Sequence, residues 1–317
     1  MAPFQNPWVD RAMPSFGSAM KWLLVHRTTR PRPHDPDPSV FQRVRPAFKT
    51  PRASPSEITV TWVGHSTLLL QLGGLNILTD PMWSARASPF RFAGPRRWVA
   101  PGVEFRDLPP IDVVLQSHNH YDHLDNRSVR AVARAYPQAT WLVPLGLESF
   151  VRRRGAKLAR ELDWWQTADI GQLHVTCVPA QHFSGRTLID RGRTLWCSWA
   201  LATQDGRRVF FAGDTGYHPE FTLIAERCGP FDLALLPIGA YEPRWFMRYL
   251  HMNPEEAVQA FRGLGAQVMV PIHWGTFKLT DEAMDEPPVR ARAAFAAANL
   301  PIERYRQLAH GETLRVS

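Results

Sequence analysis

The nine residues from Ser117 to Asp125, SHNHYDHLD, hold three of the chain's 12 histidines together with two aspartates. Within them His118, His120, Asp122 and His123 spell HxHxDH. Neutral imidazoles and carboxylates are ligands for zinc and similar divalent cations, and several on one short loop reach a common ion with little further ordering of the chain. Crowded together without a cation, the same groups would suffer desolvation and mutual repulsion. One loop does not carry enough ligands for two ions. Three more candidates follow later: His182 in VPAQHFSG, Asp214 in FFAGDTG and His273 in VPIHWG, each after an apolar run and beside a small residue. The set reads as a binuclear site. Two divalent cations about 3.5 to 4 Å apart can hold a bridging hydroxide at neutral pH and polarise an acyl or phosphoryl oxygen, so the chemistry to expect is hydrolysis.

Such ligands must be presented by strand ends. The loop begins where the apolar run IDVVLQS stops and ends where the helical pattern LDNRSVRAVARAY starts, a strand-to-helix connection of the kind that displays functional groups. Upstream, ITVTWVGHSTLLLQL and NILTD read as paired strands, with Gly73-Gly74 at a hairpin turn. TWLVP, LHVTCVP, LWCSWALAT, RRVFFAGDT, LALLPIG and VMVPIHW are further strand candidates. LGLESFVRRRG, PEEAVQAFRGLG and PVRARAAFAAAN are helical, the second with Asn253 as N-cap, Glu256 three residues on and Gly265 as a stop. Strands outnumber helices and often follow one another directly, which predicts two mixed sheets with helices outside rather than a doubly wound parallel sheet. The prolines and arginines from Arg30 to Pro55 predict an extended arm, so the chain divides into a segment 1–55 and one domain over 56–317.

A net charge of +8 with pI near 9.8 favours anionic partners without choosing among them. Cys177, Cys197 and Cys228 are odd in number and not in CxxC spacing, which argues against a disulfide framework and points to a reducing cytoplasm. Neither a secretory signal nor a membrane-spanning run is evident. The segment from Ser15 to Arg30, SFGSAMKWLLVHRTTR, mixes Trp, Leu and Val with basic residues. It reads either as a helix lying on the inner face of a membrane or as one packed on the domain.

Eight stretches taken together, GHSTLLLQ, LTDPMWS, SHNHYDHLD, PAQHFSGR, FFAGDTGY, PIGAYEPRWFM, HMNPEEA and IHWGTF, resemble the metallo-β-lactamase fold superfamily. Within it they are most similar to the N-acyl-phosphatidylethanolamine-hydrolysing phospholipase D branch and its bacterial relatives. The resemblance spans roughly residues 56 to 317 and implies an α/β, four-layer αββα sandwich of two mixed sheets. It gives His118, His120 and His182 to one metal and Asp122, His123 and His273 to the other, with Asp214 bridging. The implied cofactor is two zinc ions per chain, with manganese or iron as substitutes. It further implies attack of metal-bound hydroxide on a phosphodiester, with Asp122, Asp214 and His251 as catalytic residues. No covalent protein intermediate is required, and the HxK core of phospholipases D that use a histidine nucleophile is absent. His120 argues against an iron redox site, where this position would be acidic.

Asp80 is expected to orient the loop or its histidines from behind. His65 is read either as positioning substrate or ligands, or as a core histidine. The run YEPRWFMRYLHM is the candidate for substrate recognition: Trp245, Phe246 and Tyr249 offer apolar surface, while Arg244 and Arg248 could meet phosphate. Arg91, Arg96 and Arg97 form a second basic and aromatic patch suited to a lipid interface or a solvated surface. The partner expected is a phospholipid or another anionic phosphodiester; homodimers are common in the family. Two alternatives stay open: a hydrolase of the same fold acting on a lactone, thioester or nucleic acid, and a metal- or lipid-binding protein without turnover. Against nucleic acid stand the lack of a large insertion and of a Lys-rich exosite.

Overall fold

A computed structural model describes residues 3–9, 16–22, 24, 33–187 and 189–316. Of the amphipathic segment expected at 15–30, residues 15, 23 and 25–30 lie outside the described residues, as do residues 1–2, 10–14, 31–32 and 317. The part described includes one short helix, α1 (Phe16–Lys21). From residue 33 the arm runs largely without regular structure and ties down on the first sheet: Lys49 N–H donates to Gln71, and Arg52 grips Asp112 at 2.5 and 3.1 Å.

The apolar runs after Ser56 fold as antiparallel β1 (Ile58–Gly64), β2 (Thr67–Leu72) and β3 (Leu75–Thr79). Gly73 and Gly74 turn the second hairpin with φ of 61° and 73°, the paired left-handed geometry that a two-residue turn between right-twisted strands needs. Parallel strands β4 (Val113–Leu115), β5 (Thr140–Pro144) and β6 (Leu158–Leu162) extend this sheet. The second sheet holds antiparallel β7 (Thr167–Ile170), β8 (Leu173–Val178) and β9 (Ser198–Thr203). It continues with β10 (Arg208–Phe211), β11 (Leu233–Pro237) and β12 (Val268–Ile272), which are parallel to one another. Finally β13 (Thr313–Val316) pairs with β1 and completes a seven-stranded first sheet beside the six-stranded second.

Alternation of side chains along each strand makes the layers. In β4, Val113 and Leu115 enter the large core that both sheets share, while Val114 turns outward to a cluster with Val129 and Val132. Those valines belong to α2 (Asn126–Ala135), which with α3 (Glu148–Arg152) covers the first sheet. The second sheet is covered by α4 (Phe221–Cys228), whose Phe221 ring lies 6.4 Å from Phe210 of β10. Beyond a single turn, α5 (Arg244–Met247), come α6 (Pro254–Gly263) and α7 (Glu286–Ala297), joined by Phe261 and Phe295 at 5.3 Å. The expected capping box opens α6, with Asn253 and Glu256 each bonding the other's backbone. Helices therefore flank two mixed sheets, as expected.

β6, β7, β13 and α4 were not foreseen. The three strands are edge strands whose exposed sides carry residues such as Arg160, Asp169 and Arg315, so their hydrophobic signal is weak. α4 starts at Glu220 without a side-chain cap, and so without the signal that marks a helix start.

Candidate metal centre

β1, β3 and β4 run the same way in the first sheet, and β8, β10 and β12 do so in the second, because an even number of antiparallel pairings separates members of each set. Their carboxyl ends carry His65, Asp80 and the 118–123 loop on one side, and His182, Asp214 and His273 on the other. All seven expected ligands meet there. Two strand exits are tightly matched: Gly213 has φ 60°, and a Cβ on it would sit 2.5 Å from that of Ser117, so only glycine lets β10 deliver Asp214 against the histidine loop. His65, Asp80 and His273 also hold positive φ, at 55°, 33° and 61°. Such conformations cost about 1 to 3 kcal/mol each and persist where the surroundings over-determine them, as at functional sites.

Three ring nitrogens form one group: His118 Nε2 lies 2.9 Å from His120 Nδ1, which lies 3.1 Å from His182 Nε2. A second group contains His123 Nε2 and His273 Nε2, 3.4 and 3.5 Å from Asp122 Oδ2. Asp214 Oδ2 stands between them, 3.1 Å from His123 and His273 and 3.9 Å from His118 and His182. Behind this layer, Asp80 is fully buried and accepts from Gln116 Nε2, Ser117 N, Ser117 Oγ and His123 Nδ1 at 2.6 to 2.9 Å. Ser117 Oγ, having donated to Asp80, accepts from His118 Nδ1 at 2.8 Å. His182 Nδ1 donates to Leu250 O at 2.8 Å.

These outer bonds decide what the inner nitrogens can do. With the Nδ1 protons of His118 and His182 committed outward, their Nε2 atoms present lone pairs to the centre. His123 Nε2, His273 Nε2 and Asp214 Oδ1 are buried with no hydrogen-bond partner, although Asp214 lies close to both rings. Lone pairs converging on common points, with nothing in line to donate to them, fit divalent cations and little else. Burial pushes His120 down to about 3 and His182 to about 4. Burial also opposes charge on His123 and His273, but the carboxylates of Asp214 and Asp122 outweigh it, raising His123 well above its ordinary range and His273 to about 9. Against burial, the same rings hold both carboxylates ionised, far below their usual range. A cation at this centre would replace protons.

Because Asp80 fixes two candidate donors at once, His123 directly and His118 through Ser117, Asp80→Ala is expected to weaken divalent-metal binding about 10- to 100-fold in competition against a chromophoric chelator. Unchanged affinity would reduce Asp80 to a packing residue.

A cavity of about 340 Å³ opens over the centre, with His120, Asp122, Asp214 and His251 at its floor and Trp22, Phe183, Phe246, Met247 and Leu279 among its walls. α1 leads Trp22 to this wall, where its indole donates to Asp281 and stacks on Phe246 at 5.5 Å. Of the residues expected to recognise substrate, Phe246 lines the cavity. Arg244 is not available to a phosphate: Glu256 holds its guanidinium through two bonds of 2.7 and 2.8 Å, and it donates to His251 O, bracing α5 against α6. Trp245 is 41% exposed, and Arg248 lies over Tyr249 on the outer side of the turn. The Tyr249 carbonyl is taken by Gln181. His65 lies beneath the centre rather than on the cavity wall, with Nε2 2.9 Å from Asp122 Oδ2, so it holds the Asp122 carboxylate in place. His251 Nδ1 is 3.9 Å from Asp214 Oδ2 at the cavity floor. Arg97 is half-buried and turned inward, donating to Met82 O and Ser84 O with its guanidinium over the Phe277 ring. Ser117 escaped the sequence reading, since serine in a loop carries no signal of its own.

Residues 75–274 match the family model described as a beta-lactamase superfamily domain. An uncharacterized protein of Mycobacterium tuberculosis is 46% identical over 278 residues, covering 86% of this chain and 72% of its own. The Caenorhabditis elegans protein named N-acyl-phosphatidylethanolamine-hydrolyzing phospholipase D 1 is 42% identical over 245 residues, 74% of this chain and 68% of its own. Among solved structures, a metallo hydrolase from Ignicoccus hospitalis, 23% identical, superposes with a TM-score of 0.62 over 83% of this chain and 99% of that one. With fold, donor set and more than half of the chain in agreement, the chain belongs to the metallo-β-lactamase superfamily and is a metal-dependent hydrolase.

Proposed function

We propose that the chain is a binuclear zinc phosphodiesterase of the phospholipase D type, acting on N-acyl phosphatidylethanolamine or a related phospholipid. The observation that carries this reading is a floor of imidazoles and carboxylates beneath a mostly apolar cavity. A phosphodiester suits the floor, and an acyl chain suits the walls. His118, His120 and His182 would hold one cation, Asp122, His123 and His273 the other, and Asp214 both; nitrogen and oxygen donors of this kind suit zinc. Bound there, divalent cations supply positive charge opposite phosphoryl oxygens and acidify water to a nucleophile at neutral pH.

The chain's own residues do the rest. Trp22, Phe246, Met247 and Leu279 exclude water from the cavity and hold the apolar part of the substrate. Burial holds His251 neutral, which suits a hydrogen bond to the phosphate better than proton donation by an imidazolium. Contact with a membrane surface belongs to the same reading: Ala87 lines the cavity, and the loop it begins carries Phe90, Arg91 and Phe92, the last 81% exposed. Among the described residues no helix is long and apolar enough to cross a membrane.

The test is mass-spectrometric product analysis of zinc-loaded protein with N-acyl phosphatidylethanolamine in detergent micelles. Phosphatidate and N-acylethanolamine are expected from the native protein and not from Asp214→Asn. Bound zinc without these products would remove the lipid substrate and leave a hydrolase of another ester.

A further inference from the structure

His182 lies just past the end of β8, in the long connection 179–197 to β9; among the described residues of that connection there is no helix or strand, and only an isolated Gln181–Gly216 bridge stands beside it. Its backbone is held instead by a residue 176 positions away. Asn6 Nδ2 donates to His182 O at 2.7 Å, and Asn6 Oδ1 accepts from His182 N at 3.1 Å. This is a reciprocal pairing of a carboxamide with one peptide residue. Only a carboxamide offers an acceptor and a donor side by side in the spacing that a residue's N–H and C=O require. His182 is fully buried, so without Asn6 both groups would need other partners.

The short segment that carries Asn6 is itself anchored on both sides. Before it, Phe4 N–H donates to Gly192 O at 2.8 Å, closing onto the same connection. After it, Trp8 stacks on His218 at 4.6 Å and on Trp164 at 5.9 Å, and its indole donates to Glu220. The carboxamide is therefore presented in a fixed place. From the other side, Leu250 O fixes the ring through Nδ1. Backbone and ring together leave His182 Nε2 aimed at His120 Nδ1, 3.1 Å away.

We infer that Asn6 is a positioning residue for the metal centre, acting on His182 from the N-terminal segment. This rests on the proposed reading of His182 as a ligand. The experiment compares the native chain of 317 residues with Asn6→Ala, Asn6→Asp and His182→Ala. It measures zinc stoichiometry and dissociation constants against a chromophoric chelator, together with the melting temperature of the metal-free protein. Asn6→Ala is expected to weaken one of two zinc equivalents about 10- to 100-fold while the other holds. Its metal-free melting temperature should move by no more than about 5 °C. Asn6→Asp keeps the acceptor but sets a carboxylate against the His182 carbonyl, so it should weaken the same equivalent. Should both Asn6 variants bind zinc as the native chain does, whatever their melting temperatures, the segment is a structural anchor and the inference falls. If His182→Ala also retains native zinc binding, the failure lies in the assignment of His182 as a ligand.

Discussion

Asp214→Asn is expected to lower kcat/KM by about 10³ while leaving the fold intact. Asparagine has the same shape, so packing around Ser117 and Gly213 need not change. What changes is charge and donor direction at the most shared atom of the centre. Asp214 Oδ2 faces His123 and His273 at 3.1 Å and His118 and His182 at 3.9 Å. Neutralising it leaves those rings without their common anionic partner. Whichever way the amide turns, either its carbonyl oxygen or its NH₂ faces the lone pairs, and no charged oxygen is left to serve both groups. Removing one member of a buried charge pair costs about 3 to 5 kcal/mol. If that loss falls on the transition state, it is about 10² to 10⁴ in rate. The check is turnover by product mass spectrometry beside zinc content by elemental analysis. Turnover within a few-fold of native with native metal content retained would take Asp214 out of the machinery.

Chelation should destabilise the whole domain, since the centre joins the two sheets: Asp80 and the 118–123 loop come from the first, His182, Asp214 and His273 from the second. A ligand that binds only the folded state at a free concentration 1,000 times its dissociation constant adds about 4 kcal/mol. For a domain of this size, about 2 °C per kcal/mol converts that to roughly 8 °C for each occupied group of ligands. Thermal unfolding of the zinc-loaded and chelator-treated protein should therefore differ by at least this amount, and added zinc should restore the higher value. Equal melting temperatures would mean that the buried imidazoles satisfy one another without a cation. The unpartnered His123, His273 and Asp214 atoms argue for the first outcome.

Which residues meet was legible in the sequence to the extent that the chemistry is local. HxHxDH places four donors on one loop, and the runs before His182, Asp214 and His273 mark strand ends, so both the donor set and the layered α/β architecture could be expected from residue types and periodicity alone. Local signals served the Gly73-Gly74 turn and the Asn253 cap equally well, because each is completed within a few residues. Edge strands β6, β7 and β13 were hidden, since a strand with one open side is not compelled to be apolar. The substrate residues fared worst. Arg244 faces Glu256 and His65 supports Asp122, pairings that residue type cannot reveal because they depend on which surfaces the fold brings together. The same holds for Ser117 between Asp80 and His118, and for Asn6 against His182. The sequence alone determined the candidate donors and the layers, through periodicity and donor chemistry. Only the tertiary structure decided the tautomers of the histidines, the wall over the donor cluster and the reach of the N-terminal segment, because each is set by contacts between residues far apart in the chain.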